Sequence, residues 1–180
     1  MHLASMTITV RREQPEDADY VRRVNERAFG RPNEAALVDA VREAADTLSL
    51  VAVVGHQVVG HILFTAVWIE RMDRTTAAIG LGPLAVLPEH QRRGVGSALV
   101  RAGLDACRRL GHAVVVVLGH PEYCQRFGFV PASGKGIRYE YPVPSEAFMV
   151  LELRTGAVAR SGGVVRYRPE FTGVRRCDRI

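Results

Sequence analysis

Gly94, Gly96 and Ser97 open the longest amphipathic run of the chain, directly after the pair Arg92 and Arg93. These residue types at this spacing can hold a phosphate. Glycine lets the backbone approach a ligand closely, and the first amides of a helix have no intrahelical partner, so they can donate to an anion. Ser97 adds a hydroxyl, and either arginine adds charge. Two other phosphate loops fit less well. A Walker loop needs Gly-Lys-Ser/Thr, but Lys135 is the only lysine. The dinucleotide fingerprint needs a third glycine where Leu99 stands. An ordinary glycine turn ahead of a helix is an equal reading of the spacing alone.

The elements around this loop follow from hydrophobic periodicity. Residues 7–11 alternate and predict a strand. Pro15 opens a helix with Ala18, Val21, Val24 and Ala28 on one face. Gly30 and Pro32 stop it. Asn33 reads as the N-cap of a second helix with Ala36, Leu37, Ala40, Val41 and Ala44 as its buried stripe. Residues 48–54 and 58–69 read as a hairpin. A third strand over 77–87 contains Gly80, Gly82 and Pro83, so a break near its middle is expected.

Residues 94–110 give the strongest helix, with Val95, Leu99, Ala102, Ala106 and Leu110 as its stripe. Asp105 and Arg109 have pairing spacing on it. Residues 113–118 are apolar without interruption, as in a strand buried on both faces. A strand, a crossover helix and a buried strand make a parallel βαβ unit. A short helix over 121–127 and a strand over 148–153 follow, with one weak strand at 164–168. The chain reads as one α/β domain over 1–180, with a core of about 7–153 and a C-terminal extension, 154–180.

Composition narrows the class. Of 180 residues, 47% are hydrophobic and 24% charged, the balance of an ordinary globular chain. The net charge of +5 is spread over scattered arginine pairs, so no nucleic-acid tail is read. The longest purely apolar run is far short of a membrane helix. Cys107, Cys124 and Cys177 cannot make a disulfide framework and fit a reducing cytosol. No basic stretch precedes an apolar one near the N-terminus, so no signal peptide is expected. No metal site is expected.

Gln91-Arg92-Arg93-Gly94-Val95-Gly96 resembles the Gln/Arg-x-x-Gly-x-Gly/Ala signature of the GNAT superfamily of N-acetyltransferases. The resemblance extends to Leu84-Ala85-Val86 before it and to Arg126-Phe127-Gly128-Phe129 downstream. Gly80-Leu81-Gly82-Pro83-Leu84 and Leu118-Gly119-His120-Pro121-Glu122-Tyr123 look more narrowly like the YhbS-like branch.

The resemblance implies a mixed, mostly antiparallel sheet. Helices should cover both faces, and the central parallel strand pair should splay. It implies acetyl-CoA as cosubstrate, with its pantetheine arm in the gap along Leu84, Ala85 and Val86. Its pyrophosphate would lie on Gln91, Arg92, Arg93, Gly94, Val95, Gly96 and Ser97. It also implies direct attack of an amine on the thioester, with a backbone N–H near Leu84 meeting the oxyanion.

An alkyl amine titrates near about 10.4 and must lose a proton before attack. Glu34, His61, Glu70 and His120 are the candidate bases. The position where relatives place a leaving-group tyrosine is Cys124. Tyr123 stands one residue earlier, turned by about 100 degrees on a helix. Cys124 reads as a weak acid, an inert packed residue or a nucleophile.

Trp68 and Phe64 read as sheet packing. Tyr139 and Tyr141 read as a turn or an acceptor wall. The expected partner is a small-molecule or peptide amine, with the chain a monomer or homodimer. A non-catalytic acyl-CoA-binding module and a nucleotide-binding protein are the competing readings.

Overall fold

The computed structural model describes residues 7–158 and 162–173. Among them, nine strands form one sheet. Strands β1 (Ile8–Arg12), β2 (Leu48–Val54), β3 (Gln57–Glu70) and β4 (Thr75–Val86) pair antiparallel in that order. Strand β5 (Val114–Leu118) runs parallel to β4. Beyond it, β8 (Phe148–Glu152) and the short β6 (Val130–Pro131) are antiparallel. Strand β9 (Gly163–Arg166) pairs with the end of β3 and with β7 (Ile137–Tyr139). The sheet is therefore mixed and mostly antiparallel around one parallel pair, as the resemblance implies.

Four α-helices accompany it: α1 (Ala18–Phe29), α2 (Asn33–Val41), α3 (Val95–Arg109) and the four-residue α4 (Pro121–Cys124). Adjacent strand residues point to opposite faces. On β3, a side chain at Gly60 would meet Val95 and Leu99 of α3, while His61 bonds Asn25 of α1. So α1 and α3 cover opposite faces of the sheet.

Several local expectations are corrected. Pro15–Asp17 form a 3-10 turn, and α1 proper begins at Ala18. Pro32 takes the N-cap position and Asn33 becomes the first residue of α2. The buried side of α2 is Glu34, Ala35, Leu37, Val38 and Val41, while Ala36 and Ala40 are exposed. Apolar residues nearly encircle this helix, and the larger ones bury more area.

On α3, Val95 and Leu99 are buried as expected, but Val100, Gly103, Leu104 and Cys107 continue the face. Leu110 is exposed. The Phe64 ring lies against Gly103, where a Cβ would overlap it. Asp105 pairs with Arg108 at 2.8 Å, at the i,i+3 rather than the i,i+4 spacing.

The expected break in the third strand takes a specific form. Toward β3, β4 is paired from Thr75 to Val86, with a register shift between Ile62 and Phe64. Toward β5, pairing is limited to Ile79↔Val115, Gly80↔Val116 and Leu81↔Val117. It ends just before Gly82 and Pro83, and proline has no N–H to give a ladder. The segment read as a C-terminal extension contributes β9, whose Val165 is fully buried opposite Ile69.

Candidate active site

Pairing between β4 and β5 stops at Leu81↔Val117; β5 ends at Leu118, while β4 runs on to Val86. The β4 edge beyond that point has a defined set of backbone groups. Leu87 N–H donates to Val59 at 2.9 Å, and Ala85 lies opposite His61. Antiparallel alternation then turns the backbone groups of Leu84 and Val86 away from β3. The Val86 carbonyl accepts from Gln91 Nε2 at 3.0 Å. The side chain of Ala85 is buried.

The loop after β4 runs through a 3-10 turn, Pro88–His90, to Gly94. Gly94 has φ +86°, a left-handed conformation that favours glycine, and it caps α3. No atom lies within 4 Å of where its Cβ would stand, so that position faces open space. A cavity of about 790 Å³ begins here. Gln91, Arg92, Gly94, Gly96 and Ser97 line one wall, Leu84 and Val86 a second, and Arg27, Ala28, Phe29 and Gly30 a third. Pro88, Tyr123 and Arg126 complete the lining. Arg93 is exposed outside this lining, and Val95 is buried in the core.

Tyr123 reaches the glycine loop. Its hydroxyl lies 2.7 Å from where a Cβ on Gly96 would stand, and it bonds the Ser97 side chain. Burial raises the phenol's pKa; the Ser97 bond and the Arg126 charge oppose the rise. Arg126 donates from Nη2 to Ser97 Oγ at 2.8 Å. Its guanidinium carbon sits 4.8 Å from the centroid of the Tyr123 ring.

Cys124 turns the other way, into the core, where burial pushes its thiol up to about 11. His120 is exposed ahead of α4, and its carbonyl accepts from Tyr123 and Cys124. Neither Cys124 nor His120 lines the cavity.

The remaining base candidates also lie outside the lining. Glu34 is buried, with both oxygens on Arg31 at 2.5 to 3.1 Å. Glu70 is exposed and paired with Arg166 at 2.9 Å. His61 is fully buried. Asn25 Nδ2 donates to its Nδ1 at 3.0 Å, and Ser49 Oγ lies 2.9 Å from its Nε2. Ser49 in turn bonds Glu13. Burial, helped by the Arg42 charge, lowers the imidazole to about 3, so it stays neutral. This is a packed polar network tying α1 to the sheet.

Two contacts made by lining residues had no sequence signal. Arg126 stands 29 residues from the serine it bonds. Arg27 of α1 forms a two-bond pair with Glu89, at 2.9 and 3.2 Å, linking α1 to the loop before α3. Among the described residues, no group of three or more His, Cys, Asp or Glu could hold a metal ion, and no helix is long and apolar enough to cross a membrane.

A β4 edge with outward backbone groups, leading into a glycine loop and helix start, suits a long ligand with an anionic end. Known proteins are similar to this chain in sequence and fold. The acetyltransferase (GNAT) domain family matches residues 9–132. The Escherichia coli protein YjhQ, described as an uncharacterized N-acetyltransferase, is 41% identical over 165 residues, 87% of this chain and 91% of that one.

Among solved structures, E. coli YhbS in complex with CoA has a TM-score of 0.88 at 32% identity, with 99% of each chain covered. A GNAT acetyltransferase from Brucella melitensis in complex with acetyl-CoA has a TM-score of 0.75 at 35% identity, covering 92% of this chain and 99% of that one. The chain belongs to the GNAT family of acetyltransferases.

Proposed function

We propose that this protein transfers the acetyl group of acetyl-CoA to a primary amine of a small molecule or peptide, by direct attack in a ternary complex. The observation that carries this reading is the cavity, which is lined both by Leu84 and Val86 of the β4 edge and by Gly94, Gly96 and Ser97 at the start of α3. Two relatives of similar fold hold CoA or acetyl-CoA.

The pantetheine arm lies along Leu84 and Val86 as an added strand, and the pyrophosphate lies on Gly94, Gly96 and Ser97 at the helix start. The amine nitrogen attacks the thioester carbonyl carbon. The oxyanion takes the Leu84 N–H, which is turned away from β3. Collapse breaks the C–S bond and releases the thiolate of CoA. An alkyl thiol titrates near about 8.5 and leaves without a strong acid. The ammonium proton passes to water in the open cleft, because the four candidate side chains lie elsewhere. Holding the two reactants together supplies several of the roughly 7–11 kcal/mol available to oriented reactions. The buried free thiols of Cys107 and Cys124 support a reducing cytosol as its compartment.

A thiol-release assay across amine classes tests the reading, with CoA binding measured alongside. Release with at least one amine is expected. Gly94→Trp should fill the open space at the loop and abolish both binding and release. CoA binding without release for any amine would instead make the protein an acyl-CoA sensor.

A further inference from the structure

Arg126 is set apart from the other cations at the cavity. Arg27 is already neutralised by Glu89. Arg92 belongs to the glycine loop itself. Arg126 comes from a different segment, just after α4, and its contacts are a hydroxyl and two aromatic rings: Ser97 Oγ, Tyr123 and Phe127. Among the described residues, no carboxylate lies within ion-pair distance of it. A planar guanidinium resting on a ring keeps its outward N–H groups oriented, and arginine suits the two-oxygen geometry of phosphate. The bond to Ser97 fixes that orientation at the first turn of α3, where helix amides also point.

We propose that Arg126 is a phosphate-binding residue for the coenzyme's pyrophosphate, held in readiness by the Tyr123 ring and by Ser97. The proposal rests on the coenzyme-binding reading above, but not on turnover. It adds to the glycine loop an arginine on an aromatic platform, bonded to the first turn of α3. Tyr123 works here through its ring, whose hydroxyl meets Ser97 while its face carries the guanidinium. The orientation is present before any ligand arrives, so less ordering is lost on binding.

Calorimetric titration of the full chain tests this with three ligands. CoA carries all the phosphates, 3′-dephospho-CoA keeps only the pyrophosphate, and pantetheine has none. Arg126→Gln is expected to weaken CoA and 3′-dephospho-CoA alike by about tenfold to a hundredfold, the range for losing a charge-assisted hydrogen bond. Pantetheine binding should not change. Arg126→Lys should fall between, since it keeps the charge and loses the fork. Tyr123→Leu should weaken CoA as Arg126→Gln does, since it removes the platform.

Unchanged CoA binding in Arg126→Gln, with its melting temperature intact, overturns the proposal. A loss confined to CoA and absent with 3′-dephospho-CoA also overturns it, since the contact would be the 3′-phosphate. If the unsubstituted protein binds no CoA at all, the coenzyme reading itself fails, and the two failures are told apart.

Discussion

The hydroxyl of Tyr123 stands 2.7 Å from where a side-chain carbon on Gly96 would be. Glycine at the second position of the loop therefore keeps a place for the tyrosine as well as for a ligand. Gly96→Ala should push the phenol and displace the guanidinium it supports. Alanine is also the better helix former, by about 1 kcal/mol. The expected result is CoA affinity reduced about tenfold with a melting temperature equal to or above that of the parent. Calorimetry and a thermal melt read the two effects separately.

Tyr123 and Cys124 are neighbours with opposite surroundings, one at the cavity and one in the core. The phenol stands at the phosphate end, beside Gly96 and Ser97, rather than along Leu84. Tyr123→Phe should therefore lower kcat by less than about tenfold, because the thiolate leaves unaided. A loss of about a hundredfold or more at unchanged KM is the range of a true proton donor and would assign it that role. Cys124→Ala should retain transfer. Intact mass after incubation with acetyl-CoA alone should show no acetyl adduct, since the buried thiol titrates near about 11 and stays protonated at neutral pH.

His61 gives the fold a dependence on pH. Its folded value of about 3 lies below the ordinary value of 6.5, so the unfolded chain takes up a proton first as pH falls. Stability from this group is complete above about pH 6.5 and is lost progressively toward pH 3, on the order of 1 kcal/mol per pH unit. Charged groups facing it are Glu13, 3.9 Å from Nε2, and Arg42 beyond. Denaturant unfolding between about pH 7 and pH 4 should show this slope, and His61→Gln should flatten it. An unchanged slope in the variant would mean other groups cause it.

Gly103 faces the fully buried ring of Phe64. Gly103→Ala gains helix propensity but forces a close-packed ring to move, a cost of about 1–3 kcal/mol. The melting temperature should fall while CoA affinity is retained, because neither residue lines the cavity.

Much of this was legible because local and periodic signals carry it. The loop Gln91–Ser97, the long helix after it and the buried Val114–Leu118 strand each follow from a few contiguous residues. The side-chain direction of α4 was not legible. Tyr123 and Cys124 were read on a continuing helix, but α4 is four residues long and tightens at once into a 3-10 turn, Gln125–Phe127. Arg126 meeting Ser97, Glu89 meeting Arg27 and β9 joining β3 depend on tertiary placement, which periodicity does not encode. The α2 stripe failed for a different reason: apolar residues lie nearly all round this short helix, so periodicity alone does not choose the buried side.

The sheet is spliced at its centre by only Ile79, Gly80 and Leu81 against Val115, Val116 and Val117. A splice that short has little purchase against prying. An arm of amides laid along Leu84 and Val86 would act as a brace across it. Occupancy of that edge would then add to the stability of the folded form by mass action. A ligand held on that edge would therefore raise the unfolding temperature of the whole sheet, and not only of the loop it touches.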